Sequence, residues 1–131
     1  MLPKVLIIDD NHDPLDILEL LLYKDFDVCT AMNGFEGLKK AEEEKPDLII
    51  TDIMMPIMDG IRLFNKLKKS PDCHSTPVIA ITSFKGSITN KSLLNMGFKG
   101  VVSKPLDKKE IHEVIHKVLD ETKQNEFQTV R

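Results

Sequence analysis

The sequence predicts a single doubly wound α/β domain, a (βα)5 unit on a five-stranded parallel sheet, and three observations carry that prediction. At 131 residues the chain has the size of one domain, long enough to bury a core without disulfide or metal staples and too short for a second. Five short apolar runs, at residues 5–8, 27–30, 48–51, 78–81 and 101–102, alternate with stretches of helical periodicity, the pattern of parallel strands joined by crossover helices. The first, third and fourth runs are nearly continuous in Val, Ile and Leu, as central strands covered on both faces must be.

The helices follow in order. Asp13 and Pro14 open the first as cap and first-turn residue; Leu15, Leu18 and Leu22, with Ile17 and Leu21, make its buried side, and it ends near Tyr23 or Lys24. The second spans residues 34–44, with Phe35, Leu38 and Ala41 inward, the KKAEEEK stretch solvated, and the Lys45-Pro46 step as its stop. The third begins after Asp59 and Gly60 and carries Ile61, Phe64 and Leu67 on one stripe, with Arg62, Lys66 and Lys69 outside and a loop at Ser70 and Pro71. The fourth, residues 87–96, has β-branched residues and Asn in its first half and is expected to be the most mobile element. In the last, Ile111, Val114, Ile115 and Val118 repeat at helical spacing behind a capping arrangement of Asp107 and Glu110. The periodicity fades after Leu119, so the domain is assigned to residues 1–122 and residues 123–131 to a polar tail, frayed helix or linker.

Composition narrows the function. The chain is 41% hydrophobic and 30% charged, with a formal net charge of −3, and its lysines are scattered, so a nucleic-acid partner is disfavoured. Cys29 and Cys73 lie far apart without CxxC spacing or His partners, which reads as two reduced thiols. No apolar run is long enough to span a bilayer and the start lacks the pattern of a secretory signal, so no membrane partner and a cytoplasmic location are expected.

In an open parallel α/β sheet a ligand sits outside the carboxyl ends of the strands. Those ends carry Asp9 and Asp10 after strand one, Asp52 after strand three, Thr82 and Ser83 after strand four, and Ser103, Lys104 and Pro105 after strand five. Any one Asp at a strand end is ordinarily a turn or cap residue; the set together has no such account. At ~4 Å and an effective dielectric of ~20, each pair of like charges costs about 4 kcal/mol, which raises carboxyl pKa values unless a cation intervenes. Oxygen donors without His or Cys select a hard ion, and beside phosphate that is usually Mg2+, with Mn2+ as the substitute. Lys104 and Thr82 add a positive charge and a hydrogen-bond donor suited to a phosphoryl group. Asp52, the central acid, then fits the nucleophile that forms an aspartyl phosphate, with Asp9 and Asp10 as a metal-holding pair.

With these residues the sequence resembles the response-regulator receiver family, which acts downstream of histidine kinases. The likeness covers residues 5–119, and its most specific piece is DIMMPIMDG at residues 52–60, together with the acidic pair, the Thr and the Lys-Pro. The resemblance implies the flavodoxin-like strand order 2-1-3-4-5. It implies that Asp52 accepts phosphate, Asp10 binds Mg2+ directly, Asp9 acts largely through water and the Met54 carbonyl completes the protein ligands. Thr82 would bond the phosphoryl oxygens and move toward them, and Lys104 would pair with the phosphate, its bond to Pro105 being cis. Partners implied are a sensor histidine kinase or histidine phosphotransfer protein and a downstream protein target, with the chain a monomer or a phosphorylation-dependent homodimer. Such a chain is not an enzyme on a separate substrate, since it catalyses only its own phosphorylation and dephosphorylation.

Two positions depart from or vary within the family pattern. The residue three before the lysine, commonly aromatic in relatives, is Val101, so the readout is expected to pass through Phe98 or the fourth helix instead. On the rim, Met54 and Phe84 are apolar and bulky, which predicts a long-lived aspartyl phosphate because neither can position an attacking water. A haloacid-dehalogenase-like phosphatase is disfavoured because IIDDNHD lacks DxDxT, and a flavodoxin-like electron carrier because the first loop is acidic and the only Tyr is Tyr23. A phosphorylation-independent scaffold with this fold is the remaining rival. His112 and His116 have metal-capable helical spacing, but with no acid nearby they read as surface residues of the last helix.

Overall fold

The computed structural model describes residues 1–83 and 90–129, the last five of these as backbone. Its elements are β1 (Lys4–Ile8), α1 (His12–Leu22), β2 (Asp27–Ala31), α2 (Gly34–Glu44), β3 (Leu48–Asp52), α3 (Gly60–Lys69), β4 (Val78–Thr82), α4 (Asn90–Met96), β5 (Gly100–Ser103) and α5 (Lys108–Thr129). The five strands are all parallel in the order β2-β1-β3-β4-β5, as expected. The expected fourth helix began at residue 87; its first residues lie outside the described residues, as does Phe84.

Strand alternation splits the core into two layers. Leu6, Ile8, Ile49, Val78 and Ala80 face α2, α3 and α4, where Leu63, Phe64, Leu67 and Leu93 meet them. Val5, Ile7, Leu48, Ile50, Ile79 and Ile81 face α1 and α5, against Leu15, Leu18, Leu22, Ile111, Ile115 and Val118. β3 and β4 are buried at every residue, which is why their sequences run apolar without alternation.

Several details correct the sequence reading. Asn11, not Asp13, caps α1, its side chain accepting from the Asp13 N–H at 3.1 Å, and Ile17 is exposed. In α2 the inward face is Gly34, Gly37 and Ala41, while Phe35 is 60% exposed. The helix lies too close to β1 and to the loop between β3 and α3 for larger residues: a Cβ on Gly37 would come 2.6 Å from the Ile8 Cδ1, and one on Gly34 2.7 Å from the Met58 sulfur. α2 does stop before Pro46, but through Lys45 in the left-handed region at φ 48° rather than an extended residue. The KKAEEEK face is partly tied down, since Ser70 donates to Glu42 at 2.9 Å and Glu44 pairs with Lys4 at 3.0 Å. In α3, Leu63 replaces the half-buried Ile61 on the inner stripe.

Phe98, in the turn before β5, stacks on Phe64 of α3 with ring centroids 4.3 Å apart. The Lys68 ammonium lies 5.2 Å over the same Phe64 ring and donates to the Thr76 carbonyl at 2.9 Å. Asp107 caps α5 by accepting the Glu110 N–H at 2.9 Å. α5 runs for 22 residues, past Leu119, where the apolar pattern fades; Asp120, Glu121, Lys123 and Gln124 are exposed there.

Candidate functional site

Parallel register brings the strand ends to one edge. Asp52 is the last residue of β3 and pairs with Ile81, Thr82 ends β4 opposite Ser103, and Asp9 and Lys104 follow β1 and β5 directly. Backbone bonds hold those two in line: the Asp9 N–H donates to the Ala31 carbonyl at 3.2 Å, and the Lys104 N–H to the Thr82 carbonyl at 3.0 Å. The Lys104–Pro105 bond is cis.

Asp9, Asp52 and Thr82 are buried at 2%, 7% and 5% exposure, while Asp10 is exposed. Asp9, Asp10 and Asp52 each offer a carboxylate oxygen within 4.8 Å of the others. The Lys104 ammonium stands between two of them, 3.7 Å from the Asp9 Oδ2 and 3.8 Å from the Asp52 Oδ1. Asp52 Oδ1 also accepts the Ile53 N–H at 3.0 Å, and Asp9 Oδ1 accepts the Asn11 N–H at 3.0 Å, so both carboxylates are fixed in orientation.

Burial pushes the Asp52 carboxyl up to about 6, helped by the charge of Asp9 and opposed by Lys104 and the Ile53 N–H. Burial likewise raises Asp9, against the Asn11 N–H and Lys104. Fully ionised, three carboxylates facing one ammonium leave two negative charges uncompensated. A divalent cation matches that deficit, and an all-oxygen donor set suits a hard ion, so the residues present fit the expected metal.

Other contributions were not legible in the sequence. Gly60, read as part of a helix start, has no room for a side chain: its Cβ would lie 2.4 Å from the Asp52 carbonyl oxygen and 2.9 Å from the Ile53 Cα. The N-terminus of α3 thereby abuts the backbone of Asp52. The loop between β3 and α3, which carries Met54, is folded through Ile57 at φ 70°, with the Met58 N–H donating to the Pro56 carbonyl at 2.7 Å and Arg62 Nη1 to the Ile57 carbonyl at 3.1 Å. No residue type in the sequence signals a left-handed isoleucine. Met54 and Ile57 expose their side chains beside the site.

His112 is also not the surface residue it was expected to be. Its Nε2 lies 2.9 Å from the Leu21 carbonyl oxygen, its Nδ1 lies 3.7 Å from the Asp25 carboxylate, and its side chain is 17% exposed. The acid missing from the local sequence comes from the turn between α1 and β2.

Residues 5–116 match the family described as the response regulator receiver domain. The chain is 31% identical over 112 residues to a 14.6 kDa protein of Leptolyngbya boryana, covering 85% of this chain and 86% of that one. It is 32% identical over 117 residues to the alkaline phosphatase synthesis transcriptional regulatory protein PhoP of Bacillus subtilis, covering 88% of this chain but 48% of that protein. A CheY-like response regulator receiver domain protein from Methanospirillum hungatei superposes with a TM-score of 0.85 at 29% identity, over 95% of this chain and 99% of that one. Among the described residues no helix is long and apolar enough to cross a membrane.

Proposed function

This chain belongs to the response regulator receiver domain family, and from that premise we propose that it is a phosphoaccepting switch whose acceptor is Asp52. The observation that carries the reading is a buried carboxyl at the end of β3, held at about 6, beside two further carboxylates and one ammonium. In the transfer an Asp52 carboxylate oxygen attacks the phosphorus of a donor phosphohistidine or a small phosphodonor. The P–N bond, or the P–O bond of a small donor, breaks with its electron pair leaving on the donor, and an acyl phosphate forms.

Asp9, Asp10, Asp52 and the Met54 carbonyl would hold Mg2+ or Mn2+, Asp10 directly and Asp9 largely through water. The bound ion supplies positive charge against the phosphoryl oxygens and the carboxylates. Lys104, 3.8 Å from the acceptor oxygen, pairs with the transferred group, and Thr82, at the adjacent strand end, donates a hydrogen bond to it. The reaction modifies only the chain itself. Its donor is a sensor histidine kinase or histidine phosphotransfer protein in the cytoplasm. Phosphorylation switches the surface of α4, β5 and α5, read by a downstream protein or by a second copy. The exposed Met54 side chain has no group to orient water, which supports slow loss of the phosphoryl group; rapid loss of label without a phosphatase would contradict this.

Intact mass after incubation with Mg2+ and acetyl phosphate tests the assignment. A single phosphoryl adduct that requires both Mg2+ and Asp52, absent in Asp52→Asn, is expected. No adduct from this donor or from a phosphohistidine protein, with the fold intact, favours the scaffold reading.

A further inference from the structure

We propose that His112, His116 and Asp25 form a second metal site, taking a divalent transition-metal cation of the Zn2+ kind and joining α5 to the turn between α1 and β2. The Leu21 carbonyl can only accept, so the Nε2 that sits 2.9 Å from it carries the hydrogen. In the neutral ring Nδ1 is then a lone pair, and it faces the Asp25 Oδ2 at 3.7 Å. Two acceptors across such a gap call for a cation between them. An ion with tetrahedral donors at ~2.0–2.2 Å separates two of them by roughly 3.3–3.6 Å, so the gap needs to close by only a few tenths of an ångström.

His116 follows one turn later on the same face. Both rings lie against Phe26, at 5.8 and 5.7 Å between centroids, and against each other at 6.2 Å. An ion bound to an imidazole lies ~3 Å from the ring centre, so ~6 Å is the outer limit for two rings sharing one ion. The observed 6.2 Å stands at that limit, so the site requires the His116 side chain to swing toward His112, and its exposure leaves it room to turn. Anchoring a ligating imidazole through its other nitrogen to a backbone carbonyl also fixes its tautomer and orientation, the role the Leu21 carbonyl fills here. Two imidazoles and one carboxylate favour a borderline ion over Mg2+, so this site and the acidic cluster at the strand ends differ in the metals they select. The two rings also line a surface cleft with Asp107, Glu113, Lys108 and Lys109.

The test is calorimetric titration of the full chain with Zn2+ in millimolar Mg2+, which keeps the acidic cluster filled. One equivalent is expected to bind, weakened roughly tenfold or more by His116→Ala and by Asp25→Asn, both changes at exposed side chains that leave the fold intact, and unaffected by Cys29→Ser. Absence of Zn2+ uptake, uptake indifferent to His116→Ala and Asp25→Asn, or uptake lost in Cys29→Ser would each overturn the site. So would stability that depends on His112 and Asp25 in acid with no metal taken up, because a proton would then fill the gap.

Discussion

A carboxyl held at about 6, against an ordinary 3.8 for Asp52, is stabilised by the fold in its protonated form, and the sign of that shift fixes the response to pH. Below 3.8 the folded and unfolded chains both carry the proton and nothing is lost. Between 3.8 and about 6 the unfolded chain ionises first, so stability falls as pH rises, by about 3 kcal/mol once both states are ionised. Asp9 is shifted in the same direction. Urea denaturation in chelator should therefore show a less stable protein at pH 7.5 than at pH 4.5. Asp52→Asn should recover about 2–3 kcal/mol at pH 7.5, and a flat pH profile in the native chain would refute the account. Ile57, like Lys45, has a left-handed backbone. At φ 70° and 83% exposed, its side chain suffers the left-handed clash without burial to offset it. Ile57→Gly should raise the urea midpoint by an equivalent of about 1 kcal/mol with an unchanged slope. Asp9, Asp52, Thr82 and Lys104 were legible in the sequence because strand ends converge once the topology is parallel. Ile57 and the contact of Gly60 with the Asp52 backbone were not, because strain and close approach depend on what the fold brings alongside.

The same division appears among the helices. The bounds of α2, residues 34–44, could be read, its end from Lys45-Pro46, yet its inner face could not, since periodicity weighs large apolar residues and the buried residues of this helix include two glycines. Gly37→Ala gains about 1 kcal/mol of helix propensity, but places a methyl 2.6 Å from the Ile8 Cδ1, and overpacking of that kind costs about 1–3 kcal/mol. A net loss is expected on thermal denaturation, whereas Phe35→Ala should change stability by less than about 0.5 kcal/mol. The reverse ranking would restore Phe35 to the core. α5 outruns its apolar pattern because a helix nucleated and packed over its first three turns extends through polar residues at little further cost.

At the scale of the molecule, the two-layered core follows from strand alternation, which a sequence with five apolar runs exposes, whereas the strand order came only with the resemblance to the receiver family. The readout was less legible: Val101 said that the usual aromatic was missing, but only the fold shows Phe98 stacked on Phe64 and so linking the α4–β5 turn to α3. Phosphorylation should then alter amide exchange across residues 90–102, and identical protection before and after would exclude that route.

Twenty-two residues of helix measure ~33 Å at 1.5 Å per residue, whereas β5, the strand it packs on, has four residues and spans only ~13 Å. The half of α5 beyond Leu119 therefore acts as a lever with its fulcrum on the sheet. A tilt of about 10° at that fulcrum carries the far end by about 3 Å over ten residues, so a shift too small to repack the core becomes a displacement large enough to make or break a contact.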